Sequence, residues 1–213
     1  MRSSLLLFCF MFLAARGGAQ DFQSWNEVDL TASWNKISIQ LPMLVRVDSS
    51  LPNPQLAATG LTADFSLPWH LTVTGGYLFA VLPQRSLPVH VPLIAVSPSF
   101  RAHRFTFADR NRFEKLVGIP MSPVRYRNRA LLDRPFGRDD RWHAFVDDEV
   151  FFDLSAAKWS QNRFQVGAGA RVGRRCALDI YYLLRNVNSG APVTHVVGVN
   201  LKIDLTKAKK GTP

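Results

Sequence analysis

Cysteine is nearly absent from this 213-residue chain, which contains Cys9 and Cys176 alone. Cys9 falls in an N-terminal stretch that we predict is removed, so the mature chain would keep a single cysteine. One cysteine cannot form an internal disulfide, which argues against a disulfide-stapled fold. Nothing near Cys176 in the sequence indicates an activated thiol, and we expect it to be structural, in a buried or lipid-facing position.

Long apolar runs are also missing. After residue 19, no stretch approaches the roughly 20 apolar residues that a membrane-spanning helix needs. A mature chain that crosses a membrane would therefore have to be a closed β-barrel, since open sheet edges cannot face lipid. The first 19 residues have the layout of a secretory signal peptide, with Arg2, an apolar stretch 5–13 and small residues 17–19. We predict a signal peptide (1–19), a barrel (20–206) and a basic C-terminal tail (207–213).

Most of the positive charge is dispersed along the chain, which carries a net charge of +10. The charge comes mostly from arginines, and these alternate with apolar residues along the chain. Nucleic-acid-binding proteins usually gather Lys and Arg on one face or in a tail. We therefore predict no nucleic-acid partner.

No motif with a catalytic or ligand-binding mechanism is present. The chain has five histidines: His70, His90, His103, His143 and His195. None has the spacing of a nucleophile elbow or a metal site, and Gly167 and Gly169 lie in a predicted strand instead of a phosphate-binding turn. We predict no catalytic residue, no metal ligand and no cofactor, and an enzyme is the less favoured interpretation.

Period-two alternation runs through most of the chain and predicts an all-β fold. In the last strand, Leu201 and Ile203 share an apolar face, whereas Asn200 and Lys202 share the opposite face. A long apolar face opposite a charged one is typical of a strand between lipid and an aqueous lumen. The alternation predicts a closed antiparallel up-and-down transmembrane β-barrel of about 10–12 strands in the bacterial outer membrane, with an even number favoured.

Two segments carry further expectations. The stretch 82–98 contains four prolines, which cannot donate ladder hydrogen bonds, so we expect a loop with a broken or bulged strand inside it. The five tryptophans fall near predicted strand ends, which favours positions in interfacial girdles. They are Trp25, Trp34, Trp69, Trp142 and Trp159.

Charged residues lie on the polar face of the predicted strands, at spacings such as Arg110, Arg112 and Glu114. We expect them to form a lumen charge network. Its predicted members are Glu27, Asp29, Arg110, Arg112, Glu114, Arg125, Arg127, Arg129, Asp147, Glu149, Asp153, Arg163, Arg171, Asp179, Arg185, Lys202 and Asp204. Bases and acids are nearly equal in number, so the predicted lumen is filled with ion pairs. The alternative is a path for small anionic solutes.

The sequence leaves three functions open. The favoured one is a structural or small-solute barrel with no covalent chemistry. An envelope lipid-modifying enzyme of the same architecture would need a serine or histidine beside an acid at the barrel rim. A soluble periplasmic lipocalin-like binding barrel would have the reverse arrangement, with apolar residues inside.

Several short patterns together resemble one known family. They are Arg110-Asn-Arg112-Phe-Glu114, Arg125-Tyr-Arg127-Asn-Arg129, 148–152, 162–167 and Tyr181-Tyr182. The chain resembles a bacterial family of outer-membrane β-barrels labelled domain of unknown function 2490. The resemblance implies a barrel in the outer membrane, with membrane lipid and the barrel assembly machinery as partners, and no established activity. The chain departs from the usual aromatic C-terminus, because its last strand ends at Asp204-Leu205.

Overall fold

The computed structural model describes residues 22–48, 54–120 and 123–206, which form eleven strands and two short 3-10 turns. The strands are β1 (Phe22–Trp34), β2 (Ile37–Asp48), β3 (Leu56–Leu67), β4 (Leu71–Leu82), β5 (Leu87–Ala102), β6 (Phe105–Lys115), β7 (Val124–Phe136), β8 (Trp142–Asp153), β9 (Lys158–Arg171), β10 (Cys176–Val187) and β11 (Thr194–Asp204). The 3-10 turns are Pro83–Arg85 and Arg138–Asp140. The predicted signal peptide (1–19) and basic tail (207–213) lie outside the described residues.

The sheet closes on itself. Each strand pairs with its sequence neighbours, and β1 also pairs with β11. The predicted all-β barrel of about 10–12 strands is confirmed and its sheet is mostly antiparallel, but the preference for an even number of strands is wrong. Strand direction alternates along the chain, so with eleven strands the first and last run the same way. They join through a parallel ladder, from Phe22 opposite His195 to Thr31 opposite Asp204.

Most of the proline-rich stretch 82–98 lies in a regular strand, and not in the loop that we expected. β5 is continuous and pairs with β4 from Leu82 opposite Leu87 to Leu71 opposite Pro98. The ladder between β5 and β6 is interrupted instead. It skips residues 97–98 of β5, and it includes no β5 residue that precedes Leu93. The strand prolines therefore lie where no ladder partner on β6 requires an N–H group.

The connections differ between the two ends of the barrel. At one end they span two to five residues: 35–36, 68–70, 103–104, 137–141 and 172–175. At the other they span four to eight: 49–55, 83–86, 116–123, 154–157 and 188–193. We call these ends the short-turn rim and the long-loop rim.

Alternation along the strands gives the barrel an apolar outer face and a polar interior. On β2, Ile39 and Met43 are exposed on the outside, whereas Gln40 lines the interior cavity. Large apolar side chains are exposed on the outer face of many other strands as well. The few short helical turns in the described residues include none with the length and apolar character of a membrane-spanning helix. An eleven-stranded barrel is wider than eight-stranded ones, whose interior is just filled by wall side chains, so long side chains are needed to reach across it.

Candidate functional site

Glu114 is the first of two buried carboxylates that organise the interior. It is 2 % exposed, and it lies 2.8 Å from Arg112 Nη2 and 3.2 Å from Arg127 Nη1. Arg125 donates to it from Nε and Nη2. One carboxylate thus receives three guanidinium groups, and such charge-assisted hydrogen bonds are stronger than neutral ones.

Glu149 is the second buried carboxylate, 5 % exposed. Arg127 donates to it from Nη2 at 2.8 and 2.9 Å and from Nε at 3.2 Å. Arg110 Nη2 lies at 2.8 Å and Arg163 Nη1 at 3.4 Å. Arg127 therefore bridges the two glutamates. We call this group the ion-pair cluster: Arg110, Arg112, Glu114, Arg125, Arg127, Glu149 and Arg163.

Strand register assembles the ion-pair cluster. Glu114 on β6 lies opposite Arg125 on β7, and Arg129 on β7 lies opposite Glu149 on β8. Glu149 also lies opposite Arg163 on β9. Because every second residue points inward, the alternate charges of four adjacent strands face the same space. Next to the cluster, Arg129 binds Asp147 with both Nε and Nη2, at 3.0 and 2.8 Å.

Aromatic rings lie among the guanidinium groups. Phe151 has no exposed surface, and the Cζ atoms of Arg127 and Arg163 both lie 4.5 Å from its ring centre. Trp25 is 4 % exposed, with Arg46 Cζ 3.8 Å from its ring centre. These are cation–π distances, and the stacked rings fill the space between arginines that the two glutamates alone do not fill.

An apolar cluster fills the facing part of the same half of the barrel. Ala80 on β4 and Val89 and Val91 on β5 are buried together. Leu116 and Ile119, from the connection after β6, pack against them. The ion-pair cluster, the rings and these apolar side chains together occupy the interior next to the long-loop rim.

The other half of the interior holds a cavity of about 620 Å³, which we call the vestibule. Its lining contains five carboxylates: Glu27, Asp29, Asp64, Asp133 and Asp179. The lining bases are Arg110, Arg112 and Arg129 from the region of the ion-pair cluster, together with Lys202. Most of these residues lie near the short-turn ends of their strands, so the arginine-rich ion-pair cluster lies toward the long-loop rim and most of the vestibule carboxylates lie toward the short-turn rim.

Within the vestibule wall, four side chains form a linear chain of contacts. His143 Nδ1 lies 2.6 Å from Asp133 Oδ2, and its Nε2 lies 3.0 Å from Asp179 Oδ1. Lys202 Nζ lies 2.6 Å from the other oxygen of Asp179. Both ring nitrogens of His143 therefore contact carboxylates, and neither is left to accept a proton from a substrate.

Two more vestibule carboxylates are held by neutral groups. Asp29 accepts a hydrogen bond from Asn200 Nδ2 at 2.9 Å. Asp64 accepts from Gln40 Nε2 and Thr74 Oγ1, each at 2.6 Å. Among the described residues, no hydrogen bond or ion pair reaches Glu27, whose carboxylate lines the cavity.

The remaining predicted members of the charge network lie near strand ends, and among the described residues none of them forms an ion pair with the ion-pair cluster. Asp153 accepts from the backbone N–H groups of the turn after β8, and Asp204 from that of Thr206. Arg171 donates to the backbone oxygen of Asp139 at the short-turn rim. Arg185 donates to Gln161 Oε1 at 3.1 Å. Charges this close to a rim are used to fix turns and strand ends.

Several interior residues were not recognised in the sequence. Trp25 was expected in an interfacial girdle and lies inside, whereas the other four tryptophans are exposed. A usable signal existed, because Trp25 has the same parity as Glu27 and Asp29. Arg46 was on the polar parity of β2 but was left out of the network. The partnership of His143 with Asp133 and Asp179 has no local signal, since it joins three strands.

The described residues contain no group of three or more His, Cys, Asp or Glu side chains that could hold a metal ion. No curated protein matches the chain. The family model described as "Protein of unknown function (DUF2490)" matches residues 22–196. Because this match spans most of the chain, the protein belongs to the DUF2490 family.

Proposed function

We propose that this protein is an outer-membrane β-barrel whose lumen is closed to through passage, with a structural or solute-holding role and no covalent chemistry. The observation that carries the proposal is the ion-pair cluster, with the Phe151 and Trp25 rings stacked among its arginines. An open channel would need this half of the interior to hold water. Here it holds two buried glutamates, five paired arginines and an apolar cluster on the facing wall.

The membrane location is supported by the outer face. Exposed apolar side chains such as Ile39, Leu61 and Ile94 occur strand after strand, and a soluble protein rarely exposes so large an apolar surface. A lipocalin-like barrel would carry its apolar side chains inside, whereas charged side chains occupy this interior. Outer-membrane barrels usually have short periplasmic turns and longer extracellular loops. By that rule the vestibule opens toward the periplasm, and a solute would enter and leave by the same rim.

An enzyme receives less support. His143 is the histidine that the fold pairs with acids, but carboxylates occupy both of its ring nitrogens. A hydrolase would need one of these nitrogens to contact a nucleophile. None of the serines among the described residues is hydrogen-bonded to His143.

The test is conductance of the mature protein, refolded in detergent and inserted into a planar bilayer beside a known porin as positive control. We expect a folded, heat-modifiable barrel that gives no discrete channels. Discrete channels with anion preference would overturn the closed lumen, because the arginines would then line a path. A chain that folds and stays soluble without detergent would overturn the membrane location.

A further inference from the structure

The outer face carries a polar area near the middle of the barrel wall, on three adjacent strands. Across three adjacent strands, Asp109 on β6 lies opposite Ala130 on β7, which lies opposite Asp148 on β8. Each is near the middle of its strand. Their sequence neighbours Arg110, Asp147 and Glu149 point inward, so these two aspartates point outward, where the strand pattern calls for apolar side chains.

Amide groups hold the two aspartates in place. Asp109 accepts from Asn111 Nδ2 at 2.9 Å and from Asn128 Nδ2 at 2.5 Å. Asp148 accepts from Asn162 Nδ2 at 2.8 Å. All these donors are neutral, and none of the ion pairs among the described residues includes Asp109 or Asp148. The area therefore presents two carboxylates whose charge no cation of the described chain offsets.

An apolar groove of about 410 Å³ adjoins the two carboxylates. Ala130 forms part of its floor, and the small side chain leaves a gap between the aspartates. Phe100 and Phe107, stacked with ring centres 4.8 Å apart, line one side. Phe164 lines the other. The groove therefore combines an apolar lining with two adjoining carboxylates.

We propose that this groove binds a membrane amphiphile with an ammonium headgroup, with its alkyl chain along the phenylalanines and its nitrogen between Asp109 and Asp148. The inference rests on the proposed membrane location. Neighbouring strands are spaced about 4.8 Å apart, so the two aspartate backbones lie about 10 Å from each other. Only the methyl group of Ala130 stands between them, which leaves room for one small cation.

Charge selects this occupant over the others. Carboxylates that face hydrocarbon cost free energy unless a cation offsets their charge. An ammonium group therefore binds most favourably where two carboxylates have no ion-pair partner. A second copy of the chain, docked through the same area, would set like charges against each other. An anionic lipid would be repelled for the same reason.

The experiment measures binding of dodecylammonium to the full-length mature barrel in non-ionic detergent, with dodecanol and dodecyl sulfate as matched probes. We expect dodecylammonium to bind at least tenfold more tightly than either. Asp109→Asn combined with Asp148→Asn should remove at least tenfold of that affinity, and Ala130→Phe should reduce it by filling the groove. Asp64→Asn, an interior change of the same kind, is the control and should leave binding unchanged.

Three outcomes would overturn the inference. One is equal binding of dodecylammonium and dodecanol. Another is an unchanged affinity in the double aspartate variant. The third is no dodecylammonium binding but capture of a basic transmembrane peptide by the wild type alone, which would assign the groove to a protein partner. These outcomes in a detergent-requiring barrel leave the proposed function intact, whereas folding without detergent would remove the proposed function itself.

Discussion

Glu149→Gln is the sharpest test of the closed lumen. The substitution keeps the volume of the side chain, so it opens no cavity, but it removes the charge that Arg110, Arg127 and Arg163 share. Arg127 keeps Glu114 as a partner. Arg163, with a side chain 12 % exposed, loses its only carboxylate among the described residues, and Arg110, 33 % exposed, is partly rehydrated from the vestibule.

The expected loss follows from this accounting. Removing one partner of a buried ion pair costs about 3–5 kcal/mol, because the other charge stays buried and uncompensated. We therefore expect Glu149→Gln to lower the free energy of unfolding by about 3–5 kcal/mol, measured by urea titration of the refolded barrel in detergent. Glu27→Gln is the matched control. It makes the same chemical change inside the same barrel, at a carboxylate that no described hydrogen bond or ion pair reaches, and it should cost less than about 1 kcal/mol, the centre of the distribution for point substitutions. Equal losses for the two variants would refute the reasoning that pairing, and not mere interior position, gives Glu149 its weight.

Three further predictions address other parts of the barrel. Gly169→Ala should lower the free energy of unfolding by about 1–3 kcal/mol in a urea titration, because its new Cβ would meet the His143 imidazole and the Asp179 carboxylate. Gly75→Ala, whose new Cβ would have nothing within 4 Å, should not. Equal losses for the two variants would count against the contact between His143 and Asp179. Phe151→Ala should cost about 3–5 kcal/mol and give discrete channels in a planar bilayer, and a folded but silent variant would mean that the ring is not part of the closure. In a cysteine-free background, Val28→Cys with Leu201→Cys should form a disulfide on oxidation, seen as a mobility shift, because the two residues are partners in the parallel ladder. When the second cysteine is moved by two residues along β11, no disulfide should form. The reverse result would contradict the register.

Much of the fold could be predicted because it depends on local alternation. The segment that became β11 alternates so regularly that its inward and outward residues could be assigned at once. The strand number could not be fixed the same way, since it depends on which strands meet at the closure. The β5 prolines misled us for a related reason: whether a missing N–H matters depends on the ladder that β6 offers at that residue.

The candidate site was partly predictable. Parity put Glu114 and Arg127 on one face, and strand register, which the sequence does not state, decided that one arginine would bridge two glutamates. The predicted network covers only the polar parity, so it does not include the two outward aspartates. At Asp109 and Asp148 the sequence is polar on both parities at once, and such a run signals that the outer face is interrupted there.

Eleven strands closed by a parallel pair also set the topology of the chain's two ends. β1 begins at the long-loop rim with Phe22, and β11 finishes at the short-turn rim with Asp204. Hairpins inserted into a bilayer as loops cross it two strands at a time and return to the side from which they came. In the proposed membrane location, five hairpins account for ten strands of this barrel, and the eleventh must cross the bilayer on its own. Epitope tags placed before β1 and after β11 should therefore be reached by antibodies from opposite sides of a sealed vesicle.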